Sequence, residues 1–174
     1  MCFLSFYMYN LKMEFTKSLL KGKLIKRYKR FFVDVELNKK IVTAHCPNTG
    51  SMKGLLDKGN EVYVIKNDDP SRKLKFGLEI INARGNLVGV NTHKANKIVD
   101  HGLRNNLIKE LKNNDKIKSE VFFNKETRFD FLVEKKERKI FIEVKNVTLF
   151  REKKIAEFPD AITSRGSKHL LTLI

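Results

Sequence analysis

The stretch Arg128–Asn146, RFDFLVEKKERKIFIEVKN, contains two apolar runs separated by a charged segment. On a β-strand, side chains two positions apart point to the same face. In the second run, Phe141, Glu143 and Lys145 therefore share one face. The charged segment 134–138 is suited to a hairpin turn that returns the chain and sets Asp130 beside Glu143. The stretch predicts two strands that carry two carboxylates and an ammonium group at one end.

This arrangement has a chemical and a structural interpretation. Two adjacent carboxylates repel each other unless a cation lies between them, and Mg²⁺ binds through one or two carboxylates while it keeps several waters. Lys145 could orient a water or stabilise charge on a phosphate. Asp130, Glu143 and Lys145 are therefore candidate catalytic residues, and the two acids are candidate metal ligands. The alternative is an exposed strand with cross-strand ion pairs, common in a sequence that is 32% charged.

The segment from Leu24 to about Asn91 is rich in strand patterns. In the first of them Val33, Val35 and Leu37 alternate with polar residues, and Phe31 falls on the same apolar side, which predicts that it is in the core. The turn residues between the runs predict short strands. Five short strands suggest a barrel of the OB type, with a plain antiparallel sheet as the alternative. The predicted strands cover residues 27–37, 41–46, 60–67, 76–84 and 87–92.

The second half has a different periodicity. Residues 96–111 have helical spacing, with Asn96 as N-cap and Gly102 as a weak point. Three strands follow, at 116–123, 128–134 and 139–149, and then a helix that opens at Pro159 or Asp160. A further strand normally follows such a helix, so we expect the C-terminal domain to be incomplete. The predicted domains are 13–92 and 93–174, and residues 1–12 are expected to be a non-native or disordered extension.

The charge balance points to a polyanionic partner. Lys and Arg number 36 and Asp and Glu number 20, a net charge of +16. Nucleic acid is the partner that such a balance favours; an acidic membrane surface and simple solubility are the alternatives. Two cysteines do not make a disulfide framework, which favours a cytoplasmic location. No apolar run is long enough to cross a bilayer, so no membrane association is predicted.

Three segments could contact nucleic acid. The run 21–31 mixes cations with aromatic residues that could stack on bases, although Tyr28 could equally pack inside. The loop 45–54 could hold a phosphate, or it could simply be a tight turn that needs Gly50 and Gly54. The last helix has a basic face that could meet the phosphate backbone or only solvent. The candidate residues are Lys26, Arg27, Tyr28, Lys29, Arg30, Asn48, Ser51, Lys53, Arg165, Lys168 and His169.

Several longer stretches resemble one family. LIKRYKRFFVDVEL, TAHCPNTGSMKGLL, GVNT, EVFFNKETRFDFLVE, IEVKNVTL and FPDAITSRGSKHL are similar to the sugar fermentation stimulation protein A family. Within them, Asp130 with Glu143-Val144-Lys145 resembles the PD-(D/E)xK nuclease core, although Phe129 stands where that signature has proline.

The resemblance implies an α+β fold, with an N-terminal OB-like β-barrel followed by a nuclease-like α/β domain. It also implies DNA binding and a role in regulating sugar metabolism, maltose in particular. It carries over Asp130, Glu143 and Lys145 as the nuclease-type triad, with Glu120 as a further metal ligand or a solvated strand residue. The expected cation is Mg²⁺ or Mn²⁺. The alternatives are a metal-dependent nuclease and an RNA- or ribosome-associated protein.

Overall fold

The computed structural model describes residues 13–125, 127–148 and 157. Two compact units divide the chain, one built mainly from Lys17–Ala95 and the other from Asn96–Val144. The predicted extension 1–12 and the predicted last helix, with Arg165, Lys168 and His169, lie outside the described residues. No helix within the described ranges is long and apolar enough to span a membrane.

The first unit is a closed barrel. Its strands are β1 (Leu19–Tyr28), β2 (Phe32–Leu37), β3 (Lys40–His45), β4 (Glu61–Lys66), β5 (Phe76–Ala83) and β6 (Asn86–Gly89). They lie in the order β3-β2-β1-β4-β5-β6, and a parallel pairing of β3 with β5 closes the first five into a ring. This is the OB-type barrel that the sequence predicts, and the plain antiparallel sheet is excluded.

The core of the barrel follows the predicted alternation. Val33 and Val35 have no exposed surface and Leu37 is 9% exposed, and they pack with apolar residues of the other strands. Gly22 on β1 lies so close to β2 that an added Cβ would be 2.7 Å from the carbonyl oxygen of Glu36. A glycine is therefore required where these two strands cross most tightly.

The start of the barrel differs from the prediction. The predicted strand 27–37 is two strands, because the chain turns at residues 29–31, and the sheet region has six strands instead of five. Tyr28 pairs directly with Phe32, so Phe31 sits in the turn and leaves the strand alternation. The prediction that Phe31 is in the core is wrong: its side chain is 44% exposed.

The second unit contains one helix and a three-stranded antiparallel sheet. The helix α1 (Thr92–Arg104) leads through a 3₁₀ turn (Lys109–Leu111) to β7 (Lys116–Phe122), β8 (Arg128–Lys135) and β9 (Arg138–Ile142), in the order β7-β8-β9. Leu103 of the helix packs with Phe131 and Val133 of β8. The predicted helix is present and the three predicted strands are present, so an α/β domain follows the barrel. The last strand is shorter than the predicted 139–149: β9 ends at Ile142, so Glu143 and Lys145 lie in the irregular segment after it.

The helix begins earlier and ends earlier than predicted. Asn91 caps it, because its Oδ1 accepts a hydrogen bond from His93 N at 3.1 Å. Asn96, the predicted cap, lies inside the helix. At the other end, Leu107 N donates to the carbonyl oxygen of Gly102 at 2.9 Å, which turns the chain away just after Arg104.

Candidate nucleic-acid interface and carboxylate site

The outer face of β1, β2 and β3 carries a row of rings. Tyr28 pairs with Phe32, and Phe32 pairs with His45, so the three residues lie side by side on adjacent strands. The rings of Tyr28 and Phe32 stack with centroids 5.5 Å apart. Phe31 stacks on His45, with centroids 6.3 Å apart and planes within 8° of each other. We call these four side chains, Tyr28, Phe31, Phe32 and His45, the aromatic face.

Polar contacts fix the Tyr28 end of the aromatic face. Asp34 accepts hydrogen bonds from Thr43 Oγ1 at 2.8 Å and from Tyr28 OH at 3.2 Å. Lys26 Nζ lies 3.8 Å from the same carboxylate and 5.4 Å from the centre of the Tyr28 ring. The Tyr28 ring is therefore held in place, and Lys26 keeps its ammonium group over the ring.

The turn between β1 and β2 exposes two cations. Lys29 and Arg30 both have positive φ, 46° and 61°, a region that Gly and Asn occupy more easily than other residues. Phe31 N donates to the carbonyl oxygen of Lys29 at 2.7 Å, which tightens the turn. Lys29 and Arg30 are both exposed beside the aromatic face.

Arg27 faces the neighbouring loop instead. Its guanidinium donates to the carbonyl oxygens of Asn48 at 2.7 Å, Gly50 at 2.9 Å and Arg30 at 3.0 Å. Three backbone carbonyls thus converge on one side chain. Arg27 therefore links the β1–β2 turn to the loop after β3. The sequence predicts a nucleic-acid contact for this residue, whereas its guanidinium is occupied by hydrogen bonds within the protein.

The loop after β3 is only partly open to solvent. Asn48 is 4% exposed, and its Oδ1 accepts a hydrogen bond from Gly50 N at 2.8 Å. Ser51 is half-buried, and Lys53 is exposed. Of the three loop residues predicted to contact nucleic acid, Lys53 is the one with an open side chain, and Asn48 shapes the loop from inside.

His45 has an altered proton affinity. Desolvation by the surrounding protein lowers the pKa of His45 below 6.5, and the positive charges of His93 and Arg72 lower it further. The imidazole under Phe31 is therefore kept neutral at physiological pH.

In the second unit, Asp130 is held at both oxygens. Its Oδ1 accepts a hydrogen bond from Asn96 Nδ2, and its Oδ2 accepts one from Val144 N, each at 2.7 Å. The β8–β9 register ends at the pair Phe131 and Ile142. Continued by one residue, the same register would bring Glu143 opposite Asp130, although Glu143 itself lies just outside the strand. Glu143 is half-buried, and Lys145, two residues farther along the chain, is exposed.

Glu120 lies on the other side of Asp130. It lies within β7, between the pairs Ser119–Phe131 and Val121–Phe129, and has a positive φ of 56°. Its carboxylate is 3.0 Å from Arg128 Nε. Within the described ranges, no group of three or more His, Cys, Asp or Glu side chains is placed to hold a metal ion. The three acids predicted as metal ligands, Asp130, Glu143 and Glu120, are all described and do not form such a group.

A cleft of about 290 Å³ opens beside Asp130 and Glu120. Its walls come from one side of α1, as far as its last residue, and from β7 and β8, so it combines acids, cations and an amide. The residues that line it are Asn96, Lys97, Asp100, Arg104, Ser119, Glu120, Asp130 and Phe131.

The comparisons with known proteins agree with both halves of the fold. The family described as "SfsA N-terminal OB domain" matches residues 25–90, and the one described as "Sugar fermentation stimulation protein RE domain" matches residues 93–174. A sugar fermentation stimulation protein homolog of Pelagibacter ubique is 78% identical over 93% of this chain and 70% of its own length. This chain belongs to the sugar fermentation stimulation protein family.

Two more distant relatives support the assignment. The homolog of Synechocystis sp. is 50% identical over 90% of this chain and 68% of its own length. The solved structure described as Pyrococcus furiosus SfsA in complex with Ca²⁺ is 27% identical, with a TM-score of 0.78, over 92% of this chain and 68% of that one. The family and the fold are therefore shown by sequence and by structure.

The sequence does not reveal two parts of these sites. Asn96 appears as a helix cap in the sequence but contacts Asp130 instead, a contact between residues 34 positions apart. His45 has no partner that the sequence can name, since its stacking on Phe31 depends on the pairing of β2 with β3. The local feature of the sequence that does indicate the nucleic-acid interface is the basic pair Lys29 and Arg30, which directly precedes Phe31.

Proposed function

We propose that this member of the sugar fermentation stimulation family binds nucleic acid, with DNA as its principal partner, through the face of β1–β3 and the β1–β2 turn. OB barrels use this face and the adjoining loops to bind oligonucleotides. The net charge of +16 favours a polyanion. Regulation of sugar metabolism, maltose in particular, is the cellular role that we attach to this binding.

The observation that carries the proposal is the identity of the two turn residues. Lys29 and Arg30 occupy left-handed conformations that cost an ordinary residue about 1–2 kcal/mol. In the β2–β3 turn, Asn38 fills the first such position, as local chemistry favours. Lys39 and Lys136 also have positive φ, so the strain alone does not single out the β1–β2 turn. What favours a binding site there is the position of two exposed cations next to exposed rings, the combination that single-strand sites of OB barrels use.

The double variant Lys29→Asn/Arg30→Gly tests this proposal. It relieves the strain and removes two charges, so the protein should be as stable as the wild type or more so. Log affinity for DNA should depend less steeply on log salt, with the slope reduced by as much as ~1.8, since each neutralised phosphate contributes ~0.9. Fluorescence anisotropy over a salt series measures the slope.

The matched control is Lys39→Gly/Lys40→Gln, which removes two cations from the turn at the far end of β2. Its slope should equal that of the wild type. Equal slopes for both double variants would show that the β1–β2 turn makes no special contact. The absence of salt-dependent binding to any nucleic acid would overturn the proposal as a whole.

A second function, metal-dependent phosphodiester cleavage, has support from the carboxylates. The contacts from Asn96 and Val144 orient Asp130, and a continuation of the β8–β9 register by one residue beyond Ile142 would bring Glu143 opposite it. Two carboxylates suit Mg²⁺ or Mn²⁺, and the relative from Pyrococcus furiosus is described in complex with Ca²⁺. A bound cation would supply Lewis-acid stabilisation of a phosphate, and Lys145 would add a positive charge.

Glu143→Gln is the sharper variant for testing this function, because Asp130 supports backbone and helix contacts that a substitution would break. Calorimetric titration with Mn²⁺ should show binding by the wild type and a loss of at least tenfold in Glu143→Gln, with DNA cleavage lost in parallel. Glu134→Gln, on the same hairpin, is the control and should retain both. Unchanged Mn²⁺ affinity in Glu143→Gln would exclude the site.

A further inference from the structure

We infer that the preferred partner is a single strand, whose unpaired bases stack on the aromatic face. The inference rests on the proposed function and deepens it, because it specifies which form of nucleic acid the β1–β3 face receives. It follows from where the turn places Phe31 and from how the neighbouring rings are held.

Phe31 is presented as a rigid platform. Its side chain is 44% exposed, and the ring lies nearly parallel to the His45 imidazole, which supports it. Because the turn residues Lys29 and Arg30 precede it directly, the ring stands next to two cations. An exposed ring with a fixed plane offers a surface of the kind on which bases stack.

Tyr28 supplies a second platform. It is 37% exposed, stacks on Phe32, and is anchored through its hydroxyl to Asp34. Lys26 lies over its ring. The two platforms, one from the turn and one from β1, could therefore receive successive bases while the cations meet the backbone phosphates.

A duplex could not use these rings. Its base faces are covered by the neighbouring base pairs, so stacking on a protein ring requires unstacking first, which costs a few kcal/mol per step. A single strand offers those faces at little cost, and every base has one, so the stacking tolerates any sequence. The cations alone would bind both forms, and the rings provide the discrimination.

Four labelled probes of equal length separate these contributions: single-stranded DNA, the matching duplex, an abasic strand and single-stranded RNA. At one salt concentration, the wild type should bind the two base-bearing single strands more tightly than the duplex or the abasic strand. Phe31→Ala should weaken binding to the base-bearing strands by roughly 5- to 150-fold. Its affinity for the duplex and the abasic strand should change by less than about twofold.

Phe122→Ala is the matched control. Phe122 is 66% exposed and also has a cation over its ring, Arg128 at 5.9 Å, but it belongs to the other unit. Its substitution should leave all four affinities unchanged.

The inference fails if the wild type binds the duplex as tightly as the single strand, or if Phe31→Ala weakens binding to the abasic and base-bearing strands equally. Either result would leave the proposed binding function intact as a purely electrostatic contact. Failure of the proposed function looks different, since none of the four probes would bind in a salt-dependent way. Tighter binding to RNA than to DNA would support the inference and change the principal partner.

Discussion

His45 is a residue whose surroundings oppose its charged form. Desolvation, followed by the charges of His93 and Arg72, lowers its pKa below 6.5 in the folded protein. In the pH window between that lowered value and 6.5, the unfolded chain binds more protons than the folded one. The free energy of unfolding should therefore rise with pH through this window, and this contribution should be lost as pH falls through it.

His45→Phe should remove this dependence while it preserves the stacking with Phe31. Urea unfolding of both proteins, from about pH 5 to about pH 8, gives the difference in unfolding free energy. The wild type should gain stability relative to the variant as pH rises to 6.5, and the difference should then be constant. His93→Gln removes one of the groups that lower the pKa of His45, so it should narrow the pH range over which the difference in unfolding free energy changes. A difference that is flat across the whole range would contradict the assignment.

At the scale of the elements, the turns show which boundaries a sequence can predict. Asn38 and Lys39 form a two-residue hairpin turn with positive φ at both positions. The asparagine predicts this turn, because asparagine adopts positive φ more easily than most residues. Lys29 and Arg30 take the same backbone region with no such signal, so the sequence merges β1 with β2. The alternation of Val33 and Val35 could be predicted because it is local; the position of Phe31 could not, because it depends on the turn.

The carboxylate hairpin shows the same division. The apolar runs and the charged turn predict β8 and β9, whose pairing runs as far as Phe131 and Ile142, one residue short of Asp130 and Glu143. Asn96 and Glu120 could not be placed in this way. Asn96 reaches Asp130 because α1 packs beside β8, and the Glu120 carboxylate lies 3.0 Å from Arg128 Nε on the neighbouring strand. Contacts between distant segments carry no periodic signal.

The link between the β1–β2 turn and the loop after β3 depends on Arg27. Arg27→Ala leaves the carbonyl oxygens of Asn48 and Gly50 without their charged donor. Hydrogen bonds to a charged group contribute ~1.5–3 kcal/mol each, less where solvent replaces them. We expect a loss of about 2 kcal/mol in unfolding free energy, measured by urea denaturation, with faster amide exchange at Gly50.

Arg30→Ala is the control for that loss. It removes the same charge three residues farther along the chain, but the Arg30 side chain is exposed, and its carbonyl oxygen remains available to Arg27. Its unfolding free energy should stay within about 0.5 kcal/mol of the wild type. If the two variants were equally stable, Arg27 would be a surface cation and not the anchor of the loop.

At the scale of the whole molecule, cations outnumber anions by a margin that local pairing cannot remove. Each ion pair uses one charge of each sign, so pairing leaves the surplus of 16 positive charges unchanged. The ion pairs in the described part of the chain involve mainly exposed lysine and arginine side chains. Such pairs contribute little, and the repulsion among the surplus charges destabilises the compact state.

Salt should therefore stabilise the fold while it weakens nucleic-acid binding. Raising NaCl from about 0.1 M to about 1 M shortens the screening length from ~10 Å to ~3 Å, so the melting temperature should rise. Lys39→Glu/Lys40→Glu lowers the net charge from +16 to +12, since each substitution changes it by two, and should reduce the rise. A melting temperature that falls with salt would show that attraction within the ion pairs outweighs repulsion among the surplus charges. An equal rise in both proteins would show that the rise does not come from the surplus charge. If the prediction holds, one cause explains both effects of salt. Salt screens the repulsion among the surplus cations and so stabilises the fold, and it screens the attraction of the same cations for a polyanion and so weakens nucleic-acid binding.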